Sequence, residues 1–280
     1  MPNVKIVTDS TIAVREELIQ KYNIHIVPLT ITIDGETFID GVELTPDEFL
    51  VRMKKSEELP KSSQPAVGKF VEVYEKLAED GSEIISIHMT GGMSGTVRSA
   101  ESAASMVDAS VSVIDSQFIS YALGFQVLEA AKMAEEGASK EEILQRLKII
   151  KQNTHLFVTV DTLDNLVKGG RIGRGKAMIG SLLNIKPIAS LDDGVYTPVT
   201  KVRSHSQIVK FLAKQFADDV KGKTVKAVGI AHADALELAH KVKEAVLSAA
   251  PSAEVEISFT SPTISTHTGP GAIGFMYLAE

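Results

Sequence analysis

The chain has 280 residues, 44% hydrophobic and 23% charged, which describes a globular protein with room for one large domain or two ordinary ones. A formal net charge of −7 argues against general nucleic-acid binding, and the lack of cysteine excludes disulfides, thiolate metal sites and a cysteine nucleophile. No basic segment precedes an apolar one at the start, and no run approaches the ~18 apolar residues of a membrane span, so a cytoplasmic protein without membrane insertion is expected.

Residues 4–8 read as a strand ending in Asp9-Ser10-Thr11, ahead of an amphipathic segment at 12–22. Residues 24–33 read as a second strand, and Asp34-Gly35 as a turn into Thr37-Phe38-Ile39. Thr45-Pro46-Asp47-Glu48 combines an N-cap, a proline at the first helical position and the acid of a capping box. Lys61-Ser62-Ser63-Gln64-Pro65 reads as a polar loop before a helix at 67–79. An apolar strand at 84–87 then feeds His88-Met89-Thr90-Gly91-Gly92-Met93-Ser94-Gly95-Thr96, and a helix is expected at 97–107. Glycines let backbone approach a ligand, and a helix start offers unpaired N–H groups with partial positive charge. Such a turn suits an anionic group, with Ser94 or Thr96 adding a hydroxyl; capping the helix is the other use of Ser94. No His, Asp or Glu lies within residues 90–96 to activate Ser94, so the local chemistry favours holding an anion over attacking a substrate.

Residues 111–114 read as a strand and 123–136 as a helix, and Ser139 with Glu142 caps another helix running to about 152. This alternation predicts an α/β fold with a mainly parallel sheet, whose ligands sit beyond the carboxyl ends of the strands. The second half reads as a strand at 155–160, a helix at 163–168, and a glycine-rich loop in which Lys168, Arg171, Arg174 and Lys176 gather positive charge. Asp192-Asp193-Gly194 marks a hairpin, followed by a helix at 207–220, a strand at 225–231, a helix at 236–250 and a strand at 255–259. A boundary near 153–160 divides the chain into two α/β domains, 1–155 and 156–280.

Two pattern matches fail on context. Residues 170–176 fit the core of a P-loop, but Ala177 stands where a magnesium-holding hydroxyl belongs and a helical segment precedes it. Residues 269–274 fit G-x-G-x-x-G, but the six residues after them leave no room for a βαβ unit. The seven histidines show no metal-ligand spacing, so neither a metal nor a cofactor is expected. In Thr266-His267-Thr268-Gly269-Pro270-Gly271 an imidazole stands between hydroxyls beside a glycine turn, in a setting that suits a structural hydrogen bond or a ligand contact.

In order along the chain, Ile6-Val7-Thr8-Asp9-Ser10-Thr11, Ser62-Ser63-Gln64-Pro65, Ser86-Ile87-His88 with Met93-Ser94-Gly95-Thr96, Lys168-Gly169-Gly170-Arg171-Ile172-Gly173, Gly180-Ser181-Leu182-Leu183-Asn184-Ile185-Lys186-Pro187, Lys201-Val202-Arg203 and Thr266-His267-Thr268-Gly269-Pro270-Gly271 together resemble the DegV family. These are fatty-acid-binding proteins that serve a bacterial fatty acid kinase. The resemblance implies a two-domain α/β fold with one long-chain fatty acid in a tunnel between the domains. It places the ligand carboxylate on Ser62 and Ser94, with His267 near that end, and gives Arg171 a role with the kinase during phosphorylation of the acyl group. Ser62 replaces the family's usual threonine, and Thr90-Gly91-Gly92-Met93 stands where two serines, a glycine and a leucine are often found. The expected holder is then a set of hydroxyls, N–H groups and an imidazole, with no buried permanent cation.

The leading expectation is a non-enzymatic carrier that presents the carboxyl group to a separate kinase. A hydrolase or acyl transferase using Ser94 with His88 or His267 is the alternative, and a regulatory module docking through its basic loop is a third.

Overall fold

The computed structural model describes residues 3–178 and 185–280. In chain order the first half runs β1 (Val4–Asp9), α1 (Glu16–Lys21), β2 (His25–Val27), β3 (Thr30–Ile33), β4 (Glu36–Ile39), α2 (Pro46–Lys55), β5 (Lys61–Ser63), α3 (Val67–Ala78), β6 (Glu83–His88), α4 (Thr96–Ala104), β7 (Val111–Asp115), α5 (Ser120–Glu135) and α6 (Lys140–Asn153). A parallel sheet has the order β2-β1-β6-β7, with Ile6 opposite Ile85 and Ile87 opposite Ile114. Successive side chains of a strand face opposite sides. Val7 and Ile84 therefore pack with Phe70, Tyr74 and Ala100 of α3 and α4, whereas Ile6, Ile85 and Ile87 pack with Leu123, Val127 and Ile143 of α5 and α6. Cover on both faces is why these strands read as apolar runs.

The single strand expected at 24–33 is two strands. Pro28 brings no N–H to a ladder, and the chain leaves the parallel sheet there to build a separate antiparallel sheet, β4-β3-β5. Asp34 and Gly35, both at positive φ, close the β3–β4 hairpin. Lys61–Ser63, expected as loop, is the edge strand β5, with Ser62 opposite Ile31. Three polar residues carry no strand signal of their own; the open edge of β3 supplies the pairing.

From α6 the chain enters β8 (Thr154–Thr159) directly, then α7 (Asp164–Lys168), a 3-10 helix (Gly173–Met178), β9 (Lys186–Asp192), β10 (Val195–Val202), α8 (His205–Asp219), β11 (Val225–His232), α9 (Leu236–Ala249), β12 (Val255–Phe259), α10 (Pro262–Thr268) and β13 (Ile273–Ala279). Their sheet has the order β10-β9-β8-β13-β11-β12, with β11 and β12 parallel and the other neighbours antiparallel. One face carries Phe157, Ile230 and Phe275 against Ile208, Phe216 and Val242 of α8 and α9. The other carries Leu156, Val158, Leu191 and Met276, which share a core with Ile31, Phe49 and Tyr121 of the first half. Residues 180–184 of the glycine-to-proline motif lie outside the described residues. Among the described residues no helix is long and apolar enough to cross a membrane.

Candidate ligand-binding site

A cavity of about 280 Å³ lies where that second face meets the loops of the first half. Leu29, Met89, Met93 and Ile119 from the first half and Leu156, Val158 and Leu191 from the second make apolar walls. Ser62, Ser94, Arg171 and His267 line the same cavity, so four residues singled out at distant points of the sequence converge on one space.

Ser62 sits at the middle of β5, and its Oγ lies 2.8 Å from His267 Nε2. Two residues on, the Gln64 amide donates to Ser99 Oγ on α4 at 2.8 Å. This crossing needs a glycine at 95, because a Cβ there would stand 1.9 Å from Gln64 Oε1. The Ser62 strand and the Ser94 turn are thus held against one another by a residue that sequence reasoning treated only as part of a loop. Ser94 Oγ accepts from Thr96 N–H at 3.3 Å and lies 2.8 Å from Thr96 Oγ1. The turn is braced from within, with the N–H groups of Met93 and Ser94 on the Thr90 carbonyl. It is braced from outside as well, since the Thr90 hydroxyl donates to the Gly194 carbonyl at the β9–β10 hairpin tip at 2.8 Å.

His267 is carried by α10, a helix of hydroxyl and β-branched residues with weak intrinsic propensity. Ser261 Oγ caps it, and the Thr266 and Thr268 hydroxyls donate back to the Pro262 and Ile264 carbonyls. Its first turn is also tied to the first half: Asp40 accepts from the Thr263 N–H at 3.2 Å and hydroxyl at 2.7 Å, and from the Ser10 hydroxyl at 2.7 Å. Burial pushes the Asp40 carboxyl up to about 6 despite these hydrogen bonds. Sequence reading missed this residue, because Asp40-Gly41 signals a turn and nothing about a partner 223 residues away. Burial, and then the charge of Arg171, lowers the His267 imidazole to about 4, so the ring is neutral near pH 7. Its Nδ1 has no partner among the described residues and abuts Gly169, where a Cβ would come within 2.3 Å.

Arg171 Nε donates to the Met93 carbonyl at 2.9 Å and Nη1 to the Gly169 carbonyl at 2.6 Å. The guanidinium therefore bridges the residue before Ser94 and the residue against His267. The expectation of a polar end without a permanent cation is corrected: Arg171 is half-buried and lines the cavity, its pKa lowered by burial yet still protonated. The rest of the basic loop divides. Arg174 pairs with Asp192 and Asp193, while Lys168 and Lys176 are exposed.

The hydrolase alternative needs a histidine on Ser94. His88 is instead enclosed, with Nε2 2.7 Å from Ser86 Oγ and Nδ1 3.1 Å from Asp9 Oδ2. Ser94 bonds to Thr96, and His267 bonds to Ser62. Among the described residues no group of three or more His, Cys, Asp or Glu side chains could hold a metal ion.

The family model described as "Uncharacterised protein, DegV family" matches residues 3–280. A DegV domain-containing protein of Staphylococcus aureus (strain N315) is 42% identical over 275 residues, 98% of each chain. The crystal structure of DegV, a fatty acid binding protein from Bacillus subtilis, is 35% identical with a TM-score of 0.92, covering 100% of both chains. A Thermus thermophilus DegV family protein whose structure describes fatty acid binding is 30% identical with a TM-score of 0.94, over 99% of this chain and 100% of that one.

Proposed function

The chain belongs to the DegV family, and from that premise we propose that it binds one long-chain fatty acid in the cavity between two domains, 1–155 and 156–280, as a cytoplasmic carrier. The observation that carries this reading is the convergence of Ser62, Ser94, Arg171 and His267 on one apolar cavity.

The carboxylate sits at the polar end, taking hydrogen bonds from Ser62 and Ser94. Neutral His267 holds its proton on Nε2, since an N–H on the partnerless Nδ1 would be a buried orphan donor. That N–H donates to Ser62 Oγ and leaves the serine proton for the ligand. In the same way a Thr96 hydroxyl donating to Ser94 Oγ frees the Ser94 proton, so one hydroxyl both accepts from the first N–H of α4 and meets the anion. The start of α4 adds a favourable field. The acyl tail lies against the aliphatic walls. At roughly 0.8 kcal/mol per buried CH₂, about fourteen methylenes supply on the order of 11 kcal/mol before ordering costs. Affinity then comes from the tail, and orientation from the serines.

Among the described residues Ser94 has no base, and on this reading the chemistry belongs to a partner: a separate kinase phosphorylates the presented carboxylate, and Arg171 supports the transfer through its cation beside Met93. Organic-solvent extraction of purified protein with mass spectrometry, followed by titration with palmitate and oleate, tests the carrier. Recovery of an acyl chain and saturable binding are expected. No extracted acyl chain and no binding of either acid would end the proposal.

A further inference from the structure

The Ser62–His267 contact closes a ring of hydrogen bonds whose far side is a buried carboxylate. Asp40 is 1% exposed and does not line the cavity, yet three segments of the chain meet on it. On one side Oδ1 accepts from the Thr263 N–H at 3.2 Å and Oδ2 from the Thr263 hydroxyl at 2.7 Å, in the first turn of α10. His267 stands four residues on, one turn along the same helix. On the other side the Asp40 N–H donates to the Leu29 carbonyl at 3.0 Å. The Leu29 N–H donates to Ser10 Oγ at 3.0 Å, and the Ser10 proton goes to Asp40 Oδ2 at 2.7 Å. Leu29 is thus held at both backbone groups immediately before β3, and β3 carries β5 with Ser62 opposite Ile31. Helix capping does not account for the carboxylate, because Ser261 Oγ already caps α10 by accepting from the Ile264 N–H. A buried carboxylate is costly, and this one is placed where both sides of the Ser62–His267 pair are tied down.

Resting on the reading of the cavity as an acyl site, we propose that Asp40 is a positioning residue for the carboxylate holder, setting the His267 imidazole against Ser62 by fixing the two elements that carry them. Thr263 and Leu29 both line the cavity, so the ring runs just behind its wall. A shift of α10 against β3 by about 1 Å would carry Nε2 out of hydrogen-bond range of Ser62 Oγ. The Ser62 proton would then no longer be directed to the ligand. Asp40 touches no ligand and acts through His267.

Palmitate titration of Asp40→Ala, Asp40→Asn, His267→Ala and the Asp40→Ala/His267→Ala double variant tests this. Asp40→Ala should bind about ten-fold more weakly than the native chain, the worth of one hydrogen bond to an anion. Asp40→Asn keeps an acceptor for the Thr263 N–H and a donor for the hydroxyls, and should recover affinity to within about two-fold. In the His267→Ala background Asp40→Ala should add less than about two-fold. Ser139→Ala opens the capping box of α6, whose residues do not line the cavity, and should melt lower yet bind as the native chain does. Native affinity in Asp40→Ala, an Asp40→Asn chain as weak as Asp40→Ala, or losses that add in the double variant overturn the proposal and leave the acyl reading standing. Should Asp40→Ala not fold, Thr263→Val removes one bond of the ring and carries the same cycle, with about a three-fold loss expected. Should the native chain bind neither palmitate nor oleate, the acyl reading falls, and the ¹⁵N signals of His267 test the ring by themselves. A single Nε2–H tautomer in the native chain that becomes mixed in Asp40→Ala supports the hold on His267; an unchanged tautomer overturns it.

Discussion

Two serine–histidine pairs sit in this molecule with opposite fates. In both, Nε2 meets a serine hydroxyl, at 2.7 Å for Ser86–His88 and 2.8 Å for Ser62–His267. The remaining nitrogen of His88 is taken by Asp9, the Tyr74 hydroxyl donates to Ser86, and none of the four residues is exposed. The remaining nitrogen of His267 has no partner among the described residues, and its serine stands on a cavity wall. Residues that look like a catalytic relay are thus the ones whose bonding capacity is already spent. The pair with capacity to spare joins two distant parts of the chain. Hydrogen-bond satisfaction, not residue type, separates the enclosed histidine from the cavity-lining one.

Asp9 is the strongest lever on the closed pair. Burial raises its pKa, but hydrogen bonds from His88, Thr11 and the Met89 N–H, with the His88 charge, outweigh this and hold the carboxyl below its ordinary range. Asp9→Ala strips all of them at once and should cost about 3–5 kcal/mol in urea unfolding. A cost under ~1 kcal/mol would mean that this network is dispensable.

The next largest effect is in pH. Asp40, raised from 3.8 to about 6, holds its proton more tightly when folded, so its contribution is full below pH 3.8 and is lost as pH rises through 6. His267, lowered from 6.5 to about 4, contributes fully above pH 6.5 and loses that contribution as pH falls through 4. Each is worth about 3 kcal/mol across its window, and the two slopes oppose one another. Asp40→Asn should expose a stability that falls toward low pH, and His267→Gln one that falls toward high pH. Denaturant midpoints from pH 4 to 7 check this; parallel profiles in both variants would refute the assignment.

Smaller effects divide the two cavity serines from the enclosed one. Ser62→Ala or Ser94→Ala should weaken palmitate binding by about 1.5–3 kcal/mol in calorimetry, the worth of a hydrogen bond to a charged group. Ser86→Ala should leave that affinity unchanged and lower stability by about 1–3 kcal/mol. The reverse pattern would exchange the roles of the two pairs. Smallest is Gly95→Ala, which displaces Gln64 at a cost of about 1 kcal/mol; the same change in a Gln64→Ala background should cost clearly less.

Local signals were legible where local physics decides. The β6 strand, its glycine-hydroxyl turn and α4 follow the reading closely, as do the hairpin at Asp193-Gly194 and the capping boxes at Thr45 and Ser139. What was missed depends on partners far away. Lys61–Ser63 is a strand because β3 has an open edge, and α10 persists because Asp40 and Ser261 hold its first turn. Ile273–Ala279 reads in sequence only as the tail of a glycine motif, although its apolar run fills the middle of a sheet. Ser62, Ser94, Arg171 and His267, singled out through their motifs, line one cavity, while Gln64 matters only through distances that no single sequence displays.

The central place of β13 has a consequence for how the protein is made. It stitches β10-β9-β8 to β11-β12, and His267 lies just ahead of it. A ribosome delivers the parallel sheet within residues 4–115, so that sheet can close while translation continues. The second sheet must wait for residues 273–279, whose partners in β8 were made more than a hundred residues earlier. The cavity-lining imidazole of His267 therefore reaches Ser62 only as β13 docks, and a nascent chain lacks the finished cavity.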